Sequence, residues 1–232
     1  AEMSVLAKQI SEGAVSDSLL TEEELMYAAS LTPSLKEKEG IYTAATKKND
    51  SWKSHNNLAA TYIAMANEDE ANAATLFGKA ATQLEIANKK KESAEAYANL
   101  GSVYLMQGNA KKAYDALNKA ASMGASNDVA KGMNGVKAAS EIKLAKYADA
   151  VSSGAASEET AQNLFNKGLA QLLNKDFTNA VASFDEAIEK DSNYAMANYA
   201  AAVASARANK VDALVKYIKA KAVKNRYKDL IT

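Results

Sequence analysis

The chain has 232 residues, of which 48% are hydrophobic and 24% charged, with Gly 10, Pro 1 and no cysteine. So few breakers beside so much alanine favour helices, and the turn and β-branched residues a sandwich or barrel needs are too scarce. Lys+Arg and Asp+Glu stand at 28 each, so the basic excess of a nucleic-acid-binding domain is missing; without Cys, disulfides, thiolate catalysis and Cys-based metal sites are excluded.

Residues 1–18 carry little periodicity, although Val5, Leu6 and Ile10 fit a short leading helix. The start, Ala1-Glu2-Met3-Ser4, reads as a trimmed segment from which any targeting sequence is expected to have been removed. Thr21-Glu22-Glu23-Glu24 is an N-cap with an acidic first turn. Leu25-Met26-Tyr27 and Tyr42-x-x-Ala45 mark a first helix pair, with Pro33 between its members. A second pair holds Leu58-Ala59-x-x-Tyr62 and then Ala73, Phe77 and Ala80, and its turn, Asn67-Glu68-Asp69-Glu70, is expected to be about two residues longer than usual. The basic run Lys89-Lys90-Lys91 reads as a solvated helix start. Next comes Tyr97-x-x-Leu100-Gly101-x-x-Tyr104, followed by Gly108, Ala113, Leu117 and Ala120. A degenerate pair follows at Asn134-Gly135 and Tyr147-Ala148-Asp149-Ala150-Val151, its second helix closed early by Gly154. Ser157-Glu158-Glu159-Thr160 is read as another N-cap, and Gly168, Ala180, Phe184 and Ala187 repeat the spacing seen from Gly101. The chain closes on Ala201-Ala202, a helix with Ala213, Tyr217 and Ala220, and a last short helix with Tyr227 and Leu230.

Within a pair the residue types have a physical logic. Gly101 stands where two helices cross too closely for a Cβ, Leu100 and Tyr104 share one face, and Gly108 ends a helix. A pair of this size cannot bury its apolar face alone and must stack on its neighbours.

This spacing resembles the tetratricopeptide repeat, a helix–turn–helix of about 34 residues with the pattern W-x2-L-G-x2-Y, then A-x3-F. The resemblance covers roughly residues 20–225, with Tyr97 in the Trp position and Leu117 in the Phe position. It implies an all-α, right-handed superhelix (an α-solenoid) of five to six helix pairs, a single domain over residues 1–232 with a bend at Gly154-Ala155-Ala156. It also implies a non-catalytic scaffold that holds a protein or peptide ligand on its concave face. A finer resemblance runs through Leu20–Ala29, Trp52-x-x-His55-Asn56-Asn57-Leu58-Ala59, residues 163–177 and residues 204–209. These segments look like the repeat region of Gram-negative envelope proteins that also carry an OmpA-like domain. That likeness implies a periplasmic or cell-envelope location, with a cytoplasmic one as the alternative. It also admits a second role, as a structural spacer or self-association module whose alanine-rich Ala195–Ala208 face packs on another copy.

Few residues point to chemistry. His55, the single histidine, lies between Ser54 and Asn56, which are poor metal ligands, and reads as a packing residue. Trp52 reads as a filler between pairs rather than a ligand platform. Gly132-Met133-Asn134-Gly135 lacks the Lys and Ser/Thr of a phosphate loop. No cofactor, metal, catalytic residue, nucleic acid or membrane insertion is expected, and the oligomeric state is left open.

One constellation stands out. Asn57 precedes Leu58-Ala59, Asn99 precedes Leu100-Gly101, Asn166 lies two before Gly168, and Asn134 holds a similar place one residue out of register. By resemblance this position faces the groove, where amides, each both donor and acceptor, suit the backbone of an extended peptide. The alternative is that they bond to neighbouring helices and fix repeat geometry. The family's carboxylate clamp is not expected, because the matching groove positions, Asn56, Ala60, Ala98, Ser102, Phe165 and Leu169, hold no cation.

Overall fold

The computed structural model describes residues 20–211, together with Val5, Lys8, Gln9 and Val215. The expected closing helices through Ala213, Tyr217 and Ala220 and at Tyr227 and Leu230, like Leu6 and Ile10 of the leading one, lie outside the described residues. From residue 20 to residue 210 the secondary structure is entirely helical: α1 Glu22–Leu31, α2 Leu35–Lys48, α3 Trp52–Glu68, α4 Ala73–Lys90, α5 Ala94–Met106, α6 Ala110–Ser122, α7 Asn127–Lys143, α8 Tyr147–Ala155, α9 Ala161–Leu173, α10 Phe177–Lys190 and α11 Ala195–Arg207. They group into two compact units, Ala1–Ala125 and Ser126–Thr232.

Local chemistry sets the helix ends. The hydroxyls of Thr21, Ser34, Ser51, Ser93 and Thr160 each accept a backbone N–H two or three residues into the helix that follows. Thr21 and Glu24 form a full capping box. Two sequence readings need correction here. Lys89 and Lys90 close α4 instead of opening a helix, a place where cations complement the helix dipole. Thr160, not Ser157, caps α9, so Glu158 and Glu159 lie before the helix. Gly108 ends α5 at φ 79°, a left-handed conformation suited to glycine.

In the first unit α1 packs on α2, α2 on α3, α3 on α4, α4 on α5 and α5 on α6; in the second, α7 packs on α8, α8 on α9, α9 on α10 and α10 on α11. The first helices of successive pairs also touch, α3 with α5, α7 with α9 and α9 with α11, so they make up one side of each unit. The expected all-α fold of stacked helix pairs is therefore present. The α3–α4 turn, residues 69–72, is longer than those of the other pairs by one residue instead of the expected two, because Asn67 and Glu68 still belong to α3, and α8, with 9 residues, is the shortest helix among the described residues.

The first unit's core is built from Leu25, Ile41, Leu58, Phe77, Leu84, Leu100 and Val103, and Leu117 of α6 is fully buried. A Cβ on Gly101 would come 2.7 Å from Leu117 Cδ2, which confirms the close crossing of α5 and α6. In the second unit Phe184 is fully buried, with Phe165 at 5.7 Å, and Tyr194 lies 5.2 Å from Phe165. Four aromatic rings are roofed by lysines: Tyr62 by Lys79, Trp52 by Lys91, Tyr104 by Lys112 and Tyr97 by Lys119, at 4.9–5.8 Å. Trp52 is half-buried under Lys91.

Candidate functional site

The four asparagines do not behave alike. Asn57 and Asn99 are half-buried on α3 and α5 of the first unit. Asn57 Nδ2 donates only a weak bond to Met26 Sδ at 3.6 Å, and the Asn99 side chain has no partner among the described residues. On α9, Asn166 Oδ1 accepts from Gln162 Nε2 at 3.1 Å, and Gln162 Oε1 accepts from the Tyr194 hydroxyl at 2.9 Å. Asn134 Nδ2 donates to the Ala156 carbonyl at 3.1 Å, closing the end of α8 onto α7. That is the geometry-fixing role, and its one-residue offset is the cause. Position 134 is turned towards the neighbouring helix, whereas Asn57 and Asn99 are left with free hydrogen-bonding capacity.

Of the positions matched to a clamp, Asn56 and Phe165 are buried, while Ala60 is exposed beside Asn57. A small cavity of about 190 Å³ opens there, lined by Leu35, Lys38, Tyr42, Asn57, Ala60, Thr61 and Ala64.

Sequence reasoning missed a set of exposed apolar side chains carried by first helices. Tyr27 and Leu31 of α1 and Met106 of α5 are exposed in the first unit; Leu173 of α9 and Met196 and Tyr199 of α11 are exposed in the second. All six belong to first helices; Val211 and Val215, in the helical stretch after α11, are exposed as well. The signal was available. Tyr199 sits between two buried residues, Asn198 and Ala200, so it lies off the core stripe of α11. By contrast, the alanines of α11 expected to be free for a second copy, including Ala197, Ala200, Ala201, Ala202 and Ala204, are buried.

His55 is a packing residue with partners. It is 7% exposed, with Nδ1 2.6 Å from Gln83 Oε1 and Nε2 2.6 Å from Asp50 Oδ1, and so it ties the start of α3 to α4. Lys90 pairs with the same Asp50. Lys90 first, and then His55, hold the Asp50 carboxyl below its usual range. Neither imidazole nitrogen meets a nucleophile: the neighbouring Ser54 hydroxyl donates to the Ser51 carbonyl at 3.0 Å. The dyad is thus a clamp and lacks the third member of a catalytic triad. Among the described residues no group of three or more His, Asp and Glu is placed to hold a metal, and no helix is long and apolar enough to cross a membrane.

Residues 94–125 and 161–194 match the family model of the tetratricopeptide repeat. These two segments are tetratricopeptide repeats. They are the α5–α6 and α9–α10 pairs, the ones whose glycines, Gly101 and Gly168, meet the side chains at their helix crossings. Solved structures share the fold. YrrB, a TPR protein with an unusual peptide-binding site, is 21% identical, with TM-score 0.63 over 82% of this chain and 98% of its own. The C-terminal part of a TPR repeat-containing protein from Cytophaga hutchinsonii is 16% identical, with TM-score 0.60 over 90% of this chain and 81% of its own. MamA from Desulfovibrio magneticus is 13% identical, with TM-score 0.59 over 75% and 97%. No curated protein matches the sequence.

Proposed function

We propose that the chain is a non-catalytic scaffold that holds a protein or peptide partner against the side of each unit built from first helices. One observation carries this reading: six exposed large hydrophobics, Tyr27, Leu31, Met106, Leu173, Met196 and Tyr199, belong to first helices. Exposed apolar groups gathered on one face mark contact surfaces, whereas scattered ones carry no such meaning. Asn57 on α3, bonded only to the Met26 thioether, and Asn99 on α5 supply donors and acceptors to a partner's backbone. Two further points support the reading: the tetratricopeptide repeats themselves, and the peptide-binding site of YrrB, a protein of the same fold. The resemblance of Leu20–Ala29 and Trp52–Ala59 to envelope proteins supports a cell-envelope location for this scaffold.

The test is capture of partners by the immobilised full chain from envelope and cytosolic extracts, with variants on the two sides. Tyr27→Ser with Tyr199→Ser, and Asn57→Ala with Asn99→Ala, should each reduce recovery of an envelope partner. Lys79→Ser, on the second helix α4, should leave it unchanged. Equal recovery by all three variants would overturn the assignment, and recovery from cytosol alone would overturn the envelope location.

A further inference from the structure

One end of the first unit gathers lysines from three helix termini. Lys47 and Lys48 close α2, Lys53 stands in the first turn of α3, and Lys89 and Lys90 close α4, with Lys91 next. Two contacts bring these termini together: Lys90 Nζ lies 2.5 Å from Asp50 Oδ2, and Lys91 Nζ lies 4.9 Å from the ring centre of Trp52. Residues 47–53 and 89–91 hold six lysines against one acid, Asp50, which His55 and Lys90 already engage. The nearest other carboxylates are also taken. Glu22 accepts from Asn49 Nδ2 at 2.6 Å and from the Ser51 hydroxyl, and Glu92 accepts from the Tyr97 hydroxyl at 2.7 Å and pairs with Lys119 at 3.1 Å. Glu23 and Glu95, on the first turns of α1 and α5, border the lysines. Lys47, Lys53 and Lys89 are exposed and have no acid partner among the described residues. Helix dipoles account for the lysines that end α2 and α4, but not for Lys53, which sits at the positive end of α3 with no acid in its first turn. The opposite end of α3 and α4 is acidic: their turn carries Glu68, Asp69 and Glu70, and no Lys or Arg occurs from residue 54 to residue 78. The 17 residues of α3 separate the two ends by about 25 Å, or about three Debye lengths at physiological salt, so each end acts on its own surroundings.

We propose that this end docks the first unit on the surface of an anionic bilayer, with Lys47, Lys53, Lys89 and Lys91 on the lipid phosphates and the α3–α4 turn directed away. The lysines are spread over three helix termini instead of converging on one point, so they match a plane of many phosphates better than a single bound anion. Each lysine brought to such a leaflet strengthens binding about fivefold. Trp52, half-buried under Lys91, adds an amphipathic ring suited to the headgroup level. A nucleic acid fits less well, because the chain lacks a basic excess, with Lys+Arg and Asp+Glu at 28 each, whereas a planar surface meets the basic end alone. The docking end consists of helix termini, not of the helix side proposed to hold a partner, so the two readings stand or fall separately.

Co-sedimentation of the full chain with lipid vesicles tests the proposal, comparing phosphatidylcholine alone with phosphatidylcholine mixed with phosphatidylglycerol. At low ionic strength the chain should sediment with the mixed vesicles and not with phosphatidylcholine, and added salt should weaken the binding. The triple variant Lys47→Gln, Lys53→Gln and Lys89→Gln should lower partition into the mixed vesicles at least about tenfold. A second triple variant, Lys36→Gln, Lys111→Gln and Lys131→Gln, removes the same charge outside this end and should stay within about twofold of the wild type. All six lysines are exposed, so both variants should keep the fold. No binding, equal binding to the two lipid compositions, or equal loss in the two triple variants would overturn the docking end. Tighter binding to a short DNA duplex than to the mixed vesicles would also overturn it and assign the lysines to nucleic acid.

Discussion

Replacing Gly168 by alanine opposes two well-defined effects. In a helix interior alanine is favoured over glycine by about 1 kcal/mol. At Gly168, however, the new methyl would lie 2.7 Å from Phe184 Cε1 and 2.8 Å from Cδ1. That ring cannot swing away, because it is fully buried and lodged beside Phe165. Overpacking of such a core costs about 1–3 kcal/mol. Gly132, in α7 of the same unit, provides the reference: a Cβ there meets nothing within 4 Å, so Gly132→Ala keeps the propensity gain with no clash. The propensity term is shared by the two variants and cancels, leaving Gly168→Ala about 1–3 kcal/mol less stable than Gly132→Ala. Urea unfolding followed by far-ultraviolet circular dichroism measures the difference. If Gly168→Ala proves as stable as Gly132→Ala, the α9–α10 crossing is not held by close contact and the reasoning fails.

Glu141, on α7, is 1% exposed and its Oε2 has no hydrogen-bond partner; burial pushes its carboxyl above the usual value of 4.5, a push only partly countered by Ser153 and Lys137. Stability from this group is therefore complete below about 4.5 and declines as pH rises through the elevated folded value. Melting temperatures should show that decline in the wild type and a flatter profile, higher at neutral pH, in Glu141→Gln. Asp50 has the opposite sign. Its carboxyl is lowered from 3.8, so the stability it contributes is lost as pH falls through the lowered value, and acid titrations of Asp50→Asn should lack that loss. Asn134→Ala should cost about 0.5–1.5 kcal/mol in urea unfolding through loss of the bond to the Ala156 carbonyl, while partner capture stays intact.

Much of the fold could be read from spacing alone, because glycines at crossings and alanines on packed faces are placed by sterics and leave a periodic trace. Gly101, Gly168, Ala113, Ala120, Ala180 and Ala187 all occupy the tight positions their spacing implied. The site was less legible, since a row of like residues does not reveal which way each one turns. Asn134 differs from Asn57 by a single register step, about 100° around a helix, and that step sends its amide to a backbone carbonyl. The small cavity beside Asn57 was hidden for another reason: it is formed by a second helix against the next first helix, a juxtaposition that the pattern of one repeat does not contain. The helix ends misread at Lys89–Lys91 and Ser157 reflect a wider ambiguity, because runs of charge occur at either end and only the bonded cap decides.

The lysine-roofed Trp52 has an experimental consequence. It is the sole tryptophan in the sequence and lies in the first unit, where Lys91 covers its ring at 4.9 Å. Intrinsic fluorescence excited at the indole therefore reports on residues 1–125 alone, whereas backbone ellipticity reports on both units. Recording both signals along one unfolding curve turns this natural label into a measure of cooperativity: superimposed transitions mean that the repeats unfold as one array, and separated transitions assign an independent stability to each half.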